Sequence, residues 1–116
     1  FNVNAHTTAS DALWAGLPLV TKTGDQFAAR VAGSILTAAG LEDLVTVSEK
    51  KYHDVALRVA QDPEYFADIK TRLAAARTSA PLFDTKGYTR DFERLLEKAF
   101  QNYQAGNAPK SMALSA

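Results

Sequence analysis

A Gly-x-Pro turn, Gly16 to Pro18, divides the first residues of this chain into two parts of different structure. Gly16 can adopt the left-handed conformation that often follows a helix end, and Pro18 lacks the N–H that a continuing helix needs. We therefore predict a short helix before the turn. The apolar run 19–21 after the turn is predicted to be a buried strand, since proline pushes its neighbours into extended backbone.

Polar residues crowd the start of this predicted helix: His6, Thr7, Thr8 and Asp11. We expect Thr7 or Thr8 to cap the helix, because a hydroxyl accepts from the free N–H groups of the first turn. Two interpretations stay open. Residues 8–11 fit the capping-box pattern, which would make these side chains purely structural. Alternatively, the helix N-terminus binds a diphosphate through Thr7 and Thr8, with His6 as a third donor. Asp11 would then accept from sugar hydroxyls.

Composition places the chain among ordinary globular proteins and excludes several kinds of site. Its 116 residues make one domain at most, and 47% of them are hydrophobic. Thirteen basic residues balance thirteen acidic ones, so no overall charge attracts nucleic acid or an anionic membrane. The absence of cysteine rules out disulfides and thiolate ligands, and two distant histidines do not suggest a zinc site. No apolar run approaches the roughly 20 residues that span a bilayer.

Further along, residues 26–39 are predicted to form a helix that ends at Gly40, followed by a strand over 44–47. Run 19–21, this helix and the second strand would make a parallel β-α-β crossover. Lys22 is interpreted as a solvated loop residue. Arg30 either pairs with a carboxylate of a neighbouring element or lies at the surface, and a structural ion pair is favoured over a substrate contact. The apolar stripe of the helix consists of Phe27, Val31, Ser34, Ile35 and Ala38, and the small residues Ala28, Ala29, Ala32 and Gly33 would let the helix lie close to a sheet.

The rest of the chain reads as three helices with clear start signals. Ser48 is expected to cap the first, Asp62 and Pro63 to begin the second, and Asp84 or Thr85 to cap the third. The last helix, ending near residue 105, has the strongest amphipathic pattern. His53 falls off the apolar face and is expected to be exposed. The predicted stripes are Tyr52, Val55, Ala56, Val59 and Ala60; Phe66, Ile69, Leu73 and Ala76; and Tyr88, Phe92, Leu95, Leu96, Ala99 and Tyr103.

The pattern Asn-x-His-Thr-Thr-x-x-Asp-x-Leu-Trp-x-Gly-x-Pro over residues 4–18 resembles the nucleotide-binding motif of the O-linked N-acetylglucosamine (O-GlcNAc) transferase family. Residues 24–34 resemble a helix motif of the same family, and Pro-Leu-Phe-Asp-Thr-Lys over 81–86 resembles a further segment. The resemblance runs from about residue 4 to residue 109. The combination of these segments is specific, whereas His-Thr-Thr alone would be weak.

This resemblance implies an α/β fold class, namely the C-terminal portion of a Rossmann-like GT-B lobe with short parallel strands and predominantly helical content. Residues 1–106 would form the C-terminal part of the nucleotide-sugar-binding lobe, and 107–116 a loose tail. Because Phe1 is not a translation start and leads directly into the motif, we expect the chain to be the C-terminal piece of a longer protein.

The resemblance also implies an inverting, metal-independent transfer of N-acetylglucosamine from UDP to Ser or Thr of proteins. His6, Thr7 and Thr8 would hold the diphosphate and Asp11 the ribose hydroxyls. No catalytic residue, metal or cofactor is assigned to this piece, which is expected to be inactive alone and cytoplasmic. The expected partners are the UDP-sugar and, through an upstream region, protein acceptors. Self-association of the piece is also expected, because unpaired strand edges and apolar patches invite it.

Two alternative functions stay open at this point. The chain could be the nucleotide-binding domain of another two-lobed sugar enzyme, such as an epimerase or a phosphorylase, since these share a helix-end phosphate site. It could also be a non-enzymatic helical interaction module that docks through helix 85–105. One departure from the family pattern is Ala5, which stands where animal members have Gly.

Overall fold

A computed structural model describes residues 2–114 of the chain. Phe1, Ser115 and Ala116, which the domain and tail predictions include, lie outside the described residues. The chain divides into two compact units at the boundary between Phe83 and Asp84. The helices and strands of the first unit are α1 Thr7–Trp14, β1 Thr21–Lys22, α2 Val31–Ala38, β2 Val45–Thr46, α3 Glu49–Gln61 and α4 Pro63–Ser79. Short 3-10 helices span Phe27–Ala29, Glu42–Leu44 and Pro81–Phe83, and the second unit contains α5 Thr85–Gln104.

The two strands pair in parallel across α2, so the predicted β-α-β crossover is confirmed. Thr21 lies opposite Val45, and Lys22 opposite Thr46. The strands are shorter than predicted, because Leu19 and Val20 contact the core without pairing and Leu44 belongs to a 3-10 helix. The interpretation of Lys22 as a loop residue is wrong. The pairing is reinforced by Thr46, whose buried Oγ1 donates to the Thr21 carbonyl oxygen at 2.9 Å.

The predicted single helix over 26–39 is wrong in its start, and its predicted apolar stripe is only partly covered. A 3-10 helix, Phe27–Ala29, is followed at Arg30 by a separate α-helix. The buried face consists of small residues and one leucine: Ala29, Ala32, Gly33, Leu36 and Ala39. Small residues suit this face because α2 lies close to β2: a Cβ added at Gly33 would lie only 3.4 Å from Val45 Cγ1. Of the larger members of the predicted stripe, Ile35 is half-buried and packs against the core, whereas Phe27 is 75% exposed.

Of the two placements predicted for Arg30, the structure of residues 2–114 has the one at the surface and not the ion pair. Its side chain is exposed, and no carboxylate of residues 2–114 lies within ion-pair distance of it. The neighbouring end of α2 follows the prediction, because Gly40 has a φ of 72° and ends the helix in the left-handed conformation.

The three later helices begin at the residues that the sequence indicates. Ser48 Oγ accepts from the Lys51 N–H at 3.2 Å, and Asp62 Oδ1 accepts from the Tyr65 N–H at 2.9 Å. Asp84 caps α5 in the same way. Each cap satisfies one of the N–H groups that a helix start leaves unpaired, which is why short polar side chains are favoured there.

The apolar stripes of these helices differ in how far they are covered. On α4, Ile69, Leu73 and Ala76 are buried as predicted, whereas Phe66 is 39% exposed. On α3, Ala60 is exposed and the other predicted positions are half-buried, while His53 is exposed as predicted. On α5 the stripe lies at the surface of the described structure. Its large exposed members are Tyr88, Phe92, Leu96 and Tyr103, and Phe100, which the predicted stripe does not include, is exposed as well.

One hydrophobic core lies within the first unit and joins α1, α2, α4 and the segment before β2. Its buried members are Leu13, Leu36, Ala39, Leu41, Leu44, Ile69 and Leu73. Leu82 and Phe83 pack against it, as the sequence predicts. Leu13, at 0% exposure, is the contribution of α1, so this residue fixes the helix on the rest of the unit.

Replacement of Leu13 by Ala should lower the free energy of unfolding by about 2–5 kcal/mol, because it removes buried methyl groups and leaves a cavity. Leu17→Ala is the matched control, since Leu17 is 60% exposed just past the end of α1. We expect that control to change stability by less than about 0.5 kcal/mol. Urea denaturation of both variants measures the difference. If Leu13→Ala and Leu17→Ala lower the free energy of unfolding by the same small amount, the position of α1 does not depend on the core.

A polar clamp ties α4 to the segment before β2. Arg72 donates to both carboxylate oxygens of Asp43 at 2.9 and 2.8 Å, and Tyr65 Oη donates to Asp43 Oδ2 at 2.9 Å. Arg72 also pairs with Asp68 at 2.9 Å. The hydrogen bonds from Arg72 are the main reason that the pKa of Asp43 lies below its usual value, and burial opposes the shift. Bidentate geometry makes this pair more specific than most surface ion pairs.

Asp43→Asn should therefore destabilise the chain in a pH-dependent way. A carboxyl whose pKa is depressed in the folded state stabilises it above its unfolded pKa of about 4, and this contribution disappears as pH falls through the folded pKa. Because the Asp43 side chain is 40% exposed, we expect no more than about 1 kcal/mol at pH 7. Urea denaturation at pH 7 and at successively lower pH checks this. Asp54→Asn, which breaks an exposed pair with Lys50, should have a smaller effect. A difference in unfolding free energy between the wild type and Asp43→Asn that stays the same at low pH would show that the Asp43 carboxylate is not its source.

Candidate functional site

The N-terminus of α1 carries no side-chain cap. The helix begins at Thr7, His6 occupies the N-cap position, and no side chain of the described residues accepts a hydrogen bond from the first turn. The carbonyl oxygen of His6 accepts from the N–H groups of Ala9 and Ser10 at 3.0 and 3.3 Å. The predicted Thr cap and the 8–11 capping box are therefore wrong. The reason is positional, since a capping hydroxyl must come from the N-cap residue and both threonines already lie inside the helix.

The C-terminal end of α1 is closed by the backbone. Gly16 has a φ of 79°, as the turn predicts. Its N–H donates to the Leu13 carbonyl at 3.0 Å, and the Leu17 N–H donates to the Ala12 carbonyl at 2.8 Å. This pair of bonds is a Schellman motif, which satisfies the last carbonyls of the helix. Lys70 Nζ of α4 donates to the Gly16 carbonyl. The C-terminal end of α1 is thus closed by a backbone motif, while the N-terminal end has no side-chain cap.

Asn4 attaches the open end of α1 to the end of β1. Its backbone N–H donates to the Ala28 carbonyl at 2.8 Å, and its Nδ2 donates to the Lys22 carbonyl at 3.2 Å. Lys22 is the last residue of β1. In open α/β sheets, ligands bind beyond the carboxyl ends of the strands. The hydrogen bonds of Asn4 therefore bring the start of α1 to the edge where a ligand site is expected.

The sequence interpretation missed this role of Asn4. The residue stands in the quoted motif, but a side-chain bond across 18 residues leaves no periodic signal. Asn4 Oδ1 is buried and has no hydrogen-bond partner in the part of the chain that the structure describes.

His6 is half-buried and lies between the loop and the 3-10 helix Phe27–Ala29. Its Nε2 is 3.4 Å from the Ala28 carbonyl oxygen. Since a carbonyl only accepts, this contact requires the proton on Nε2 and leaves Nδ1 as the other ring atom. The Phe27 ring is nearly perpendicular to the imidazole, at 88° with centroids 6.3 Å apart. In this orientation His6 donates to an anion only when Nδ1 is also protonated, or after the ring turns away from Ala28.

Thr7, Thr8 and Asp11 are exposed on the first turns of α1. Positions three and four apart lie on one helix face, so the Asp11 carboxylate shares a face with the two threonines. No cation of residues 2–114 pairs with Asp11 within 4.0 Å. The structure thus brings the four predicted site residues, including His6, to one open helix end. Their assignment to a ligand stays a prediction.

Two other features, a membrane-spanning helix and a cluster of metal-binding side chains, are absent from residues 2–114. No helix in residues 2–114 is long and apolar enough to cross a membrane. Within the same residues, no group of at least three His, Asp or Glu side chains is arranged to hold a metal ion. The predicted absence of a metal or cofactor stays a prediction.

Comparisons with known proteins agree on one family. The model of glycosyl transferase family 41 matches residues 2–92. A UDP-N-acetylglucosamine–peptide N-acetylglucosaminyltransferase of Caenorhabditis elegans is 40% identical over 103 residues, which cover 89% of this chain and 9% of that protein. A relative from Arabidopsis thaliana is 34% identical over 108 residues, covering 92% of this chain and 11% of its own length.

A solved structure shows the same likeness. A mutant of the Thermobaculum terrenum O-GlcNAc transferase matches with a TM-score of 0.69 and 32% identity, over 84% of this chain and 18% of that chain. The match and the two short parallel strands among helices confirm the predicted fold class, a C-terminal portion of a Rossmann-like GT-B lobe. The chain spans about a tenth of the length of the curated relatives it matches. The predicted resemblance is confirmed, and the chain belongs to glycosyl transferase family 41.

Proposed function

We propose that this chain supplies part of the UDP-sugar site of a longer glycosyltransferase, which transfers N-acetylglucosamine to Ser or Thr hydroxyls of proteins. The observation that carries the proposal is the uncapped start of α1, held beside the end of β1 by Asn4. Unpaired N–H groups and the positive end of a helix dipole suit a phosphate group. Membership of family 41 supports this proposal over the domain of another sugar enzyme and over a helical docking module.

Each of the four residues has a proposed role in holding the donor. Thr7 and Thr8 offer two hydroxyls and two backbone N–H groups to the diphosphate. His6 offers the Nδ1–H of its doubly protonated ring beside them, and Asp11 accepts from the ribose hydroxyls. A helix end contributes about 0.3–1 kcal/mol when exposed and up to about 2 kcal/mol when partly buried. Because a nucleotide-sugar needs more than this, the proposal requires further donor-binding groups from outside this chain.

The proposed mechanism is inverting and independent of a metal. As the bond between sugar and diphosphate breaks, negative charge grows on the leaving diphosphate. Fixed N–H groups, hydroxyls and a helix dipole stabilise that charge without rearranging, which is the usual basis of electrostatic catalysis. No residue of the chain is assigned as the base for the acceptor hydroxyl, so the isolated piece is expected to be inactive. A cytoplasmic location also stays a prediction.

Protein acceptors are proposed from the name of the Caenorhabditis elegans relative, which acts on peptides. We expect their contacts to involve regions outside this chain. Self-association of the isolated chain is proposed on a separate observation, the exposed stripe of α5, where Phe92 is 49% and Leu96 54% exposed. Exposed contiguous apolar surface of this kind favours association.

The self-association proposal predicts a molar mass that rises with concentration in light scattering. Replacing Phe92 and Leu96 together by Glu should return the chain to a monomer, because it places charge on the exposed stripe. Lys98→Glu and Gln101→Glu, which are exposed on the opposite side of the same helix, serve as controls. A monomeric wild-type chain at all concentrations would contradict the proposal.

The donor-site proposal predicts that His6→Ala and Asp11→Ala weaken UDP binding in the complete enzyme while its fold survives. Each change removes hydrogen bonds that involve a charged partner, so we expect a roughly ten- to hundredfold loss of affinity. Calorimetric titration with UDP measures it. His53→Ala and Asp54→Ala are matched controls on α3, since both side chains are exposed, at 73% and 48%. These two variants should bind UDP as the wild type does.

Unchanged UDP affinity in both His6→Ala and Asp11→Ala would remove the site assignment. A loss of equal size in the α3 controls would also count against it, because that result indicates a general effect on the fold. Titration with GDP in parallel tests whether the site prefers the uracil nucleotide. Equal affinity for GDP and UDP would favour a different donor.

A further inference from the structure

An aromatic side chain next to the candidate site does not pack against the core of the described residues. Phe27 stands at the start of the 3-10 helix Phe27–Ala29 and is 75% exposed. It is absent from the core and from the apolar side chains packed against the core. Exposed phenyl surface gives no folding stability, since the hydrophobic effect rewards area removed from water. The ring contact that the structure records for Phe27 is with His6.

The geometry of this contact restricts His6. The two rings are perpendicular, an arrangement that aromatic pairs favour because the positive edge of one ring meets the negative face of the other. The next residue, Ala28, places its carbonyl oxygen 3.4 Å from His6 Nε2. The imidazole therefore meets two neighbours from one short segment, a ring and a hydrogen-bond acceptor.

The segment itself is held in place by the backbone. The Ala28 carbonyl accepts from the Asn4 N–H at 2.8 Å, and the Ala29 carbonyl accepts from the Gly24 N–H at 3.0 Å. A Cβ added at Gly24 would lie 3.0 Å from Ala29 Cβ, so the turn is closely packed at this point. These bonds connect the 3-10 helix to the loop that carries His6, and the relative position of Phe27 and His6 follows from them.

We infer that Phe27 is a positioning residue for His6, a role that rests on the proposed donor site. Together with the Ala28 carbonyl, it holds the imidazole so that Nε2–H is used within the protein and Nδ1, when it also carries a proton, can donate to the donor diphosphate. A side chain that is already held loses less conformational entropy when a ligand binds. Phe27 itself need not touch the donor, because it acts through the orientation of His6.

A double-mutant cycle in the complete enzyme tests this role, with the UDP dissociation constant as the measured quantity. The cycle compares the wild type, Phe27→Ala, His6→Ala and the double variant. Immobilising one mobile side chain on binding costs about 0.5–1.5 kcal/mol. Because Phe27→Ala leaves His6 mobile in the free enzyme, it should weaken UDP binding by about two- to tenfold. With His6 already replaced, Phe27→Ala should cause no further loss. Phe27→Tyr should keep the wild-type affinity, because it keeps the ring.

Phe66→Ala on α4 is the matched control, since it makes the same side-chain change at a partly exposed phenylalanine. It should not alter UDP affinity in either background. Phe27→Leu provides a second cycle that retains apolar volume without the ring, in case the alanine variant is less stable than the control. It should weaken binding as Phe27→Ala does, and again only when His6 is present.

The outcomes separate this inference from the donor-site proposal. An equal loss on replacing Phe27 with and without His6 would overturn the positioning role, since Phe27 would then act on the ligand or on the fold. Unchanged affinity in Phe27→Ala, together with a loss in His6→Ala, would overturn the inference and leave the donor site standing. Unchanged affinity in both His6→Ala and Asp11→Ala would overturn the donor site, and the inference with it.

Discussion

Burial of a few leucine side chains is the interaction on which the first unit depends. Leu13 of α1, Leu36 of α2 and Leu73 of α4 are fully buried in one core. Each buried side chain of this size contributes about 1.5–3 kcal/mol, whereas one backbone hydrogen bond contributes about 0.5–1.5 kcal/mol net. The strands are only two residues long each, so their pairing supplies few such bonds. Side-chain packing therefore decides where α1 lies, and the short sheet follows it.

A second contact, outside the core, fixes the start of α1 at the candidate site. Leu13 fixes the C-terminal half of α1, and Asn4 fixes the chain just before its first turn. Between these two points the helix start is held without a cap of its own. Thr7, Thr8 and Asp11 thus owe their arrangement to contacts that they do not make themselves, and His6 adds its own contacts with Phe27 and the Ala28 carbonyl. Substitutions at the core or at Asn4 would be expected to act on the site indirectly.

Local signals in the sequence predicted the parts of the fold that depend on a single residue type. A left-handed glycine ends α1 and another ends α2, and short polar side chains begin α3, α4 and α5. Each of these features follows from the preferences of one residue at one backbone position. The family motif predicted the residues at the candidate site for a similar reason, since they are contiguous or lie on one helix face.

The parts that were predicted wrongly depend on contacts between distant residues. The small residues of α2 were expected to let it lie close to a sheet, but helical spacing also assigned Phe27 to the covered stripe, and only the distant contact of Gly33 with Val45 shows which face is buried. The start of α1 was placed too late, because the threonines suit a cap and nothing local shows that His6 takes that position. The contact between His6 and Ala28 crosses 22 residues, so no periodic pattern indicates it.

The open first turn of α1 has a consequence for the dynamics of the chain. Amide hydrogens of Thr7 and Thr8 have no side-chain acceptor in the described structure, so their exchange with solvent should be fast. An anion seated at this helix end would accept from them, and it would stabilise only the folded chain. Slower exchange at two adjacent amides would then report occupancy of the site, without any need to follow turnover.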